Sequence, residues 1–179
     1  MSTGRARHDR ARVRSNGAFA DRPRRRVANR RFDRVVAGMT SIDFYTHVDD
    51  VVAVAARLVH KAYAQHGAVR VLTADAQATE QLDRLLWMQP ATSFLPHCRL
   101  GSALAPDTPV IVDHALEHQG PAAVLINLQP SPAPFFARFE RLAEIVGSDE
   151  ASAVAGRARY RYYRERGYEL RAHNLAERG

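Results

Sequence analysis

From residue 40 onward, apolar positions fall into short blocks whose spacing alternates between that of strands and that of helices. Ile42 to His47 reads as a first strand. Asp49 or Asp50 stands where a helix cap is needed, and Val51, Val54, Ala55, Leu58 and Ala62 then recur at helical spacing until Gly67 offers a left-handed stop. Val69, Val71 and Leu72 predict a short buried strand, and Asp75 caps a second helix carrying Leu82, Leu85, Leu86 and Trp87. Val110–Val112 and Ala123–Leu128 are two further runs of strand length. Pro132 and Pro134 are expected to open a third helix, with Phe135, Phe139, Leu142 and Val146 on one face and Gly147 at its end. A fourth helix runs from Ser148 to about Arg166 with Gly167 as its cap; Ala151, Val154, Ala155, Ala158 and Tyr162 form its expected core-facing stripe. Strands alternating with helices predict an α/β, Rossmann-like layer domain, with a largely parallel sheet flanked by helices.

Residues 1–38 break this pattern. They show neither helical nor alternating periodicity, and Arg, Ser, Gly, Asn and Pro dominate, so too little apolar surface exists to offset ordering entropy. The segment is read as a disordered basic extension ahead of an α/β domain at 39–179. A basic arm could neutralise phosphates, and an Arg-rich, acid-poor leader resembles a transit peptide. The reading favoured is a misassigned start, with Met39 as the true initiator, because Met39 stands immediately before the first strand.

Charge follows the same boundary. The chain carries +7, but the first 38 residues hold twelve arginines against three aspartates, +9, which leaves −2 for the rest. The folded part is therefore mildly acidic, and the whole-chain charge says little about its partners. A single cysteine, Cys98, excludes an intrachain disulfide framework and suits a reducing, cytoplasmic compartment. No apolar run has the length of a membrane span, and the start lacks the apolar block of an export signal.

Candidate chemistry is sparse. The turn after the first strand, Thr46 to Asp50, has no glycine and two carboxylates, which argues against a dinucleotide or phosphate cradle and against a cofactor. His114 and His118 lie four apart, but Ala115 occupies the position where a zinc protease needs its glutamate, so no metal site is expected. His97 and Cys98 are sequence neighbours without an evident orienting acid, and no catalytic residue is assigned. Two segments look like binding surfaces instead. In the first, Trp87 ends a helix that Pro90 forbids from continuing, and Phe94 follows; large rings on a rigid turn make good anchors or, alternatively, a plug under a loop. In the second, Arg157, Tyr160, Arg161 and Arg164 recur at i, i+3, i+4 and i+7, a stripe suited to an acidic peptide; single-stranded nucleic acid stacking on Tyr160 and a plain solvated face are the rivals.

These segments, in this order on this framework, carry a family resemblance. Leu82-Asp83, Leu86-Trp87, Pro90-Ala91, Ser93-Phe94 and Pro96-His97, followed by Arg157, Arg159-Tyr160, Tyr163-Arg164 and Gly167, resemble the DNA polymerase III chi subunit family over about 39 to 175. The resemblance implies a non-catalytic, cytoplasmic and nucleoid-associated adaptor of the clamp loader that touches DNA only indirectly. Its implied partners are a small psi subunit, met by Trp87, Pro90 and Phe94, and the acidic C-terminal tail of single-stranded DNA-binding protein, met by Val146, Arg157, Tyr160 and Arg161; the arginine stripe adds Arg164 to that site. Arg161 stands where the family commonly has lysine. A direct nucleic-acid-binding protein using the arm and the last helix is the alternative.

Overall fold

The computed structural model describes residues 40–88, 94–120 and 122–176. The readings of residues 1–38 and of Pro90 lie outside the described residues. The elements are β1 (Ser41–Val48), α1 (Val51–His66), β2 (Val69–Leu72), α2 (Ala76–Met88), β3 (His97–Cys98), β4 (Val110–Asp113), β5 (Val124–Asn127), β6 (Arg141–Gly147), α3 (Glu150–Glu165) and β7 (Leu170–Asn174). Seven strands form one sheet in the order β3-β4-β2-β5-β6-β1-β7, and every pairing is parallel. No described helix is long and apolar enough to cross a membrane.

Local signals explain the frame. Asp50 accepts from Ala53 N at 2.9 Å and Asp75 from Ala78 N at 2.8 Å, so both act as the expected helix caps. Gly67 ends α1 at φ 78°, in the left-handed region. α1 and α2 cover one sheet face over Val59, Val71, Leu82, Val112 and Ile126. α3 and the segment after β5 cover the other over Ile42, Phe44, Leu125, Phe136 and Leu142. Strands buried on both faces read as continuous apolar runs.

Two expectations are overturned. The third helix over Pro132–Gly147 does not form: Phe136–Arg138 is a single 3₁₀ turn, and β6 follows. Phe135, Phe139, Leu142 and Val146 mimic helical spacing, but Leu142 and Val146 lie on one strand face while Ala143 and Ile145 fill the other. A doubly buried strand shows no alternation to read. The stripe of α3 is also misplaced. Its buried residues are Gly156, Arg159 and Tyr163, whereas Ala151, Val154 and Ala158 are exposed and Ala155 and Tyr162 half-buried. Apolar spacing misled because the seat of this helix is polar. β3 and β7 were not anticipated; each is a short edge strand.

Candidate functional site

The helix α3 begins where Asp149 accepts from Ser152 N at 2.9 Å, just past β6. Beneath it lies Glu144, fully buried on β6. Its carboxylate accepts from Arg159 Nε at 2.8 Å, Tyr163 Oη at 2.7 Å and Asn127 Nδ2 at 3.1 Å. Arg159 also donates to the carbonyls of Ile145 and Pro130, each at 3.1 Å. Burial pushes the Glu144 carboxyl up; Arg159 and the hydroxyl and amide donors pull it back. Burial and the neighbouring Glu144 raise the Tyr163 phenol as well. Breaking such a satisfied buried pair is costly, so it fixes the register of α3 on the sheet.

Gly156 sets the distance. A Cβ there would stand 2.7 Å from Val146 Cγ1, so only glycine lets the helix approach β6 this closely. The close approach on one side leaves a cavity of about 380 Å³ alongside, within the range of ligand sites. Its floor is apolar, with Phe44 from β1 and Val146 from β6. Tyr160 forms one wall, edge-on to Phe44 with centroids 5.3 Å apart. Arg157, Glu150, Thr46 and His47 bring polar groups to it.

Topology places this cavity at a favoured position. β1 leads through α1 toward β2 on one side, whereas β6 leads through α3 to β7 on the other. Adjacent parallel strands whose helices depart in opposite directions leave a crevice at their carboxyl ends, where α/β sheets bind ligands. The N-terminus of α3 opens there, with Glu150 and Ala153 among the lining residues, and adds partial positive charge.

Of the residues singled out from sequence, Val146, Arg157 and Tyr160 meet in this cavity. Arg161 and Arg164 do not line it; they continue the exposed face of α3 and make no side-chain hydrogen bond or ion pair among the described residues. Arg157 pairs with Glu150 at 2.9 Å, and both side chains are exposed. Phe44, Thr46, His47 and Gly156 were missed. Gly156 carried a usable signal, since a glycine inside a helix costs about 1 kcal/mol and asks for a packing reason.

The other segment is a surface patch. Trp87 and Phe94 are 61% and 72% exposed, which removes the alternative of a core plug, and their ring centroids lie 5.9 Å apart. The ring of buried His97 stands 4.8 Å from Trp87, with Nδ1 2.8 Å from the Leu95 carbonyl and Nε2 3.6 Å from Asp83. Asp83 is the neighbouring acid that sequence reading did not find. Between β3, beside this patch, and β1, at the cavity, lie five strand spacings, roughly 25 Å.

Other titratable groups are separately engaged. His118 packs against Phe135 and Phe139, and burial with Arg70 and Arg138 nearby holds its imidazole below the ordinary range. His114 lies instead 3.3 Å from Thr79. No cluster of three or more His, Cys, Asp or Glu suited to a metal ion occurs among the described residues.

Similarity to known proteins points to one family. Residues 39–171 match the family described as DNA polymerase III chi subunit, HolC. The chain is 34% identical over 141 residues to the DNA polymerase III subunit chi of Pseudomonas aeruginosa, covering 76% of this chain and 98% of that protein. It is 32% identical over 104 residues to the subunit chi of Escherichia coli, covering 56% of this chain and 71% of the relative. The subunit chi of Haemophilus influenzae is 30% identical over 105 residues, with 56% and 70% covered.

Proposed function

Because the chain belongs to the family of DNA polymerase III chi subunits, we propose that it serves bacterial DNA replication as a non-catalytic adaptor. One surface, with Trp87, Pro90 and Phe94, takes the psi subunit of the clamp loader. The other, with Val146, Arg157, Tyr160, Arg161 and Arg164, takes the acidic C-terminal tail of single-stranded DNA-binding protein.

The observation that carries this reading is the cavity at the carboxyl ends of β1 and β6, apolar at its floor, with Arg157 beside Glu150 on its α3 wall and the exposed Arg161 and Arg164 further along the same helix. It suits a flexible peptide that ends in an apolar residue after a run of aspartates. The terminal residue seats on Phe44 and Val146 against Tyr160, and the aspartates run out along Arg157, Arg161 and Arg164. A micromolar contact needs about 8 kcal/mol. Three exposed ion pairs supply at most about 3 kcal/mol. The rest calls for roughly 200 Å² or more of buried apolar surface, which one large apolar side chain provides. The contact is therefore salt-sensitive and gains residence time from many tails along coated DNA.

Titration with a tail peptide tests the site. Arg157→Ala is expected to weaken binding about fivefold, and equal binding by parent and variant would sink the assignment. Pull-down of full-length single-stranded DNA-binding protein should depend on its last ten or so residues. A chain lacking residues 1–38 keeps these contacts; loss of most DNA affinity on that deletion would favour direct nucleic-acid binding instead.

A further inference from the structure

β1 carries one residue more than β6 near its end: Tyr45 aligns with Ile145, and Val48 with Gly147. An extra residue of this kind is a bulge, and bulges redirect side chains beside functional sites. Parity makes the redirection visible. Phe44 and Thr46 face the α3 side, and Tyr45 packs toward α1. An unbroken strand would send His47 toward α1 and Val48 toward α3. Instead Val48 packs in the α1-side core, and His47 lines the cavity beside Thr46.

The backbone is strained to achieve this. His47 has φ 58°, the left-handed region, and is the sole non-glycine residue there among the described residues. That conformation costs on the order of 1 kcal/mol for a residue with a Cβ. Glycine would adopt the turn without that cost, so the ring at this position calls for a reason.

The cavity supplies one. Arg157, its guanidinium, is already engaged by Glu150 at 2.9 Å. The His47 Nδ1 lies 3.2 Å from Thr46 Oγ1. With that hydroxyl donating, the ring hydrogen sits on Nε2, which has no partner among the described residues. We infer that His47 is a specificity-determining residue of this cavity, donating from the strand wall to a carboxylate of the bound acidic peptide while Arg157 approaches from the helix. The inference rests on the peptide-docking reading and names a contact within it.

The probe is a synthetic ten-residue aspartate-rich peptide ending in phenylalanine with a free carboxylate, titrated into the full chain. His47→Gly fits the observed φ, so its thermal midpoint should not fall below that of the parent. It is expected to bind the peptide about three- to tenfold more weakly. His47→Asn tolerates the same backbone and offers an amide donor, so it should recover part of the loss. A control peptide with every carboxylate replaced by amide should bind the parent and His47→Gly alike. If His47→Gly binds the acidic peptide as the parent does while Arg157→Ala weakens it, docking stands and the role of His47 is overturned. An equal loss toward both peptides overturns it too, because His47 would then supply shape only. Failure of the parent to bind the acidic peptide overturns the docking reading and this inference together.

Discussion

The cavity beside α3 and the aromatic patch at the end of α2 differ in curvature, charge and support. The cavity is concave and mixed: an apolar floor of Phe44 and Val146 lies under Arg157, Glu150 and His47. Its wall is a helix locked to the sheet by the buried Glu144–Arg159 pair. The patch is raised and apolar: Trp87, Met88 and Phe94 stand 61%, 66% and 72% exposed where α2 ends. Exposed aromatics grouped this way are suited to serve as anchors, because each ring offers a large area to bury. Depth with mixed chemistry suits a narrow, mobile chain; breadth with rings suits a folded partner. On the proposed function, two unlike partners would meet well-separated parts of one small sheet and would not compete.

The largest expected effect strikes the support of the cavity. Arg159→Ala leaves the Glu144 carboxyl buried without its cation and should lower stability by about 3–5 kcal/mol, measured by urea denaturation. Burial already raises the folded-state pKa of Glu144, and removing Arg159 raises it further. Such a carboxyl favours the fold below its unfolded value and loses that contribution as pH rises through the folded one. The penalty of the variant should therefore shrink from pH 8 to pH 5; a constant penalty would show that the cation is not what holds α3.

Next comes the patch. Phe94→Ala should weaken psi binding by about 2 kcal/mol, roughly thirtyfold, and leave the acidic peptide unaffected. Loss of both partners, or of neither, would count against two independent surfaces. Gly156→Ala is smaller and acts on the other side. The new methyl meets Val146, an overpacking cost of about 1–3 kcal/mol, partly offset by about 1 kcal/mol of helix propensity. Peptide affinity should fall with little change in psi binding, which isothermal titration of each partner would read.

The two regions also differ in how far sequence revealed them. The patch was legible in part, since Trp87 before Pro90 and Phe94 announces rings on a terminated helix but leaves a plug under a loop open until their exposure is seen. Half of the cavity was legible, because Arg157 and Tyr160 recur at helical spacing on an exposed face. Its strand half was hidden apart from Val146, which entered through the family resemblance alone. β6 resembles a helix in Leu142 and Val146 because both of its faces are buried, and Glu144 at its centre looks like a surface residue until Arg159 and Tyr163 reach it from fifteen and nineteen positions away. Parallel pairing joins residues remote in sequence, so the bulge that turns His47 appears only once β6 is laid beside β1.

The smallest prediction concerns the back of the strand that carries the cavity. Asp43 on β1 accepts from Arg141 of β6 at 2.7 Å and lies 3.0 Å from His173 of β7, so it ties three strands together at this edge of the sheet. Beside the patch the corresponding contact is looser, His97 Nε2 to Asp83 at 3.6 Å, and joins one strand to a helix. Burial alone would raise the Asp43 carboxyl, but hydrogen bonds from His173 and Arg141 outweigh it and hold the group below its ordinary value of 3.8. A carboxyl depressed in the fold stabilises above its unfolded pKa, and that contribution is lost as pH falls through the folded value. Parent stability should therefore drop more steeply than that of Asp43→Asn below about pH 4. Glu144 titrates in both proteins, so the difference between the two curves isolates Asp43. Parallel curves would mean that the tie adds nothing and that pairing with β1 alone keeps β7, and with it the open side of the cavity, in place.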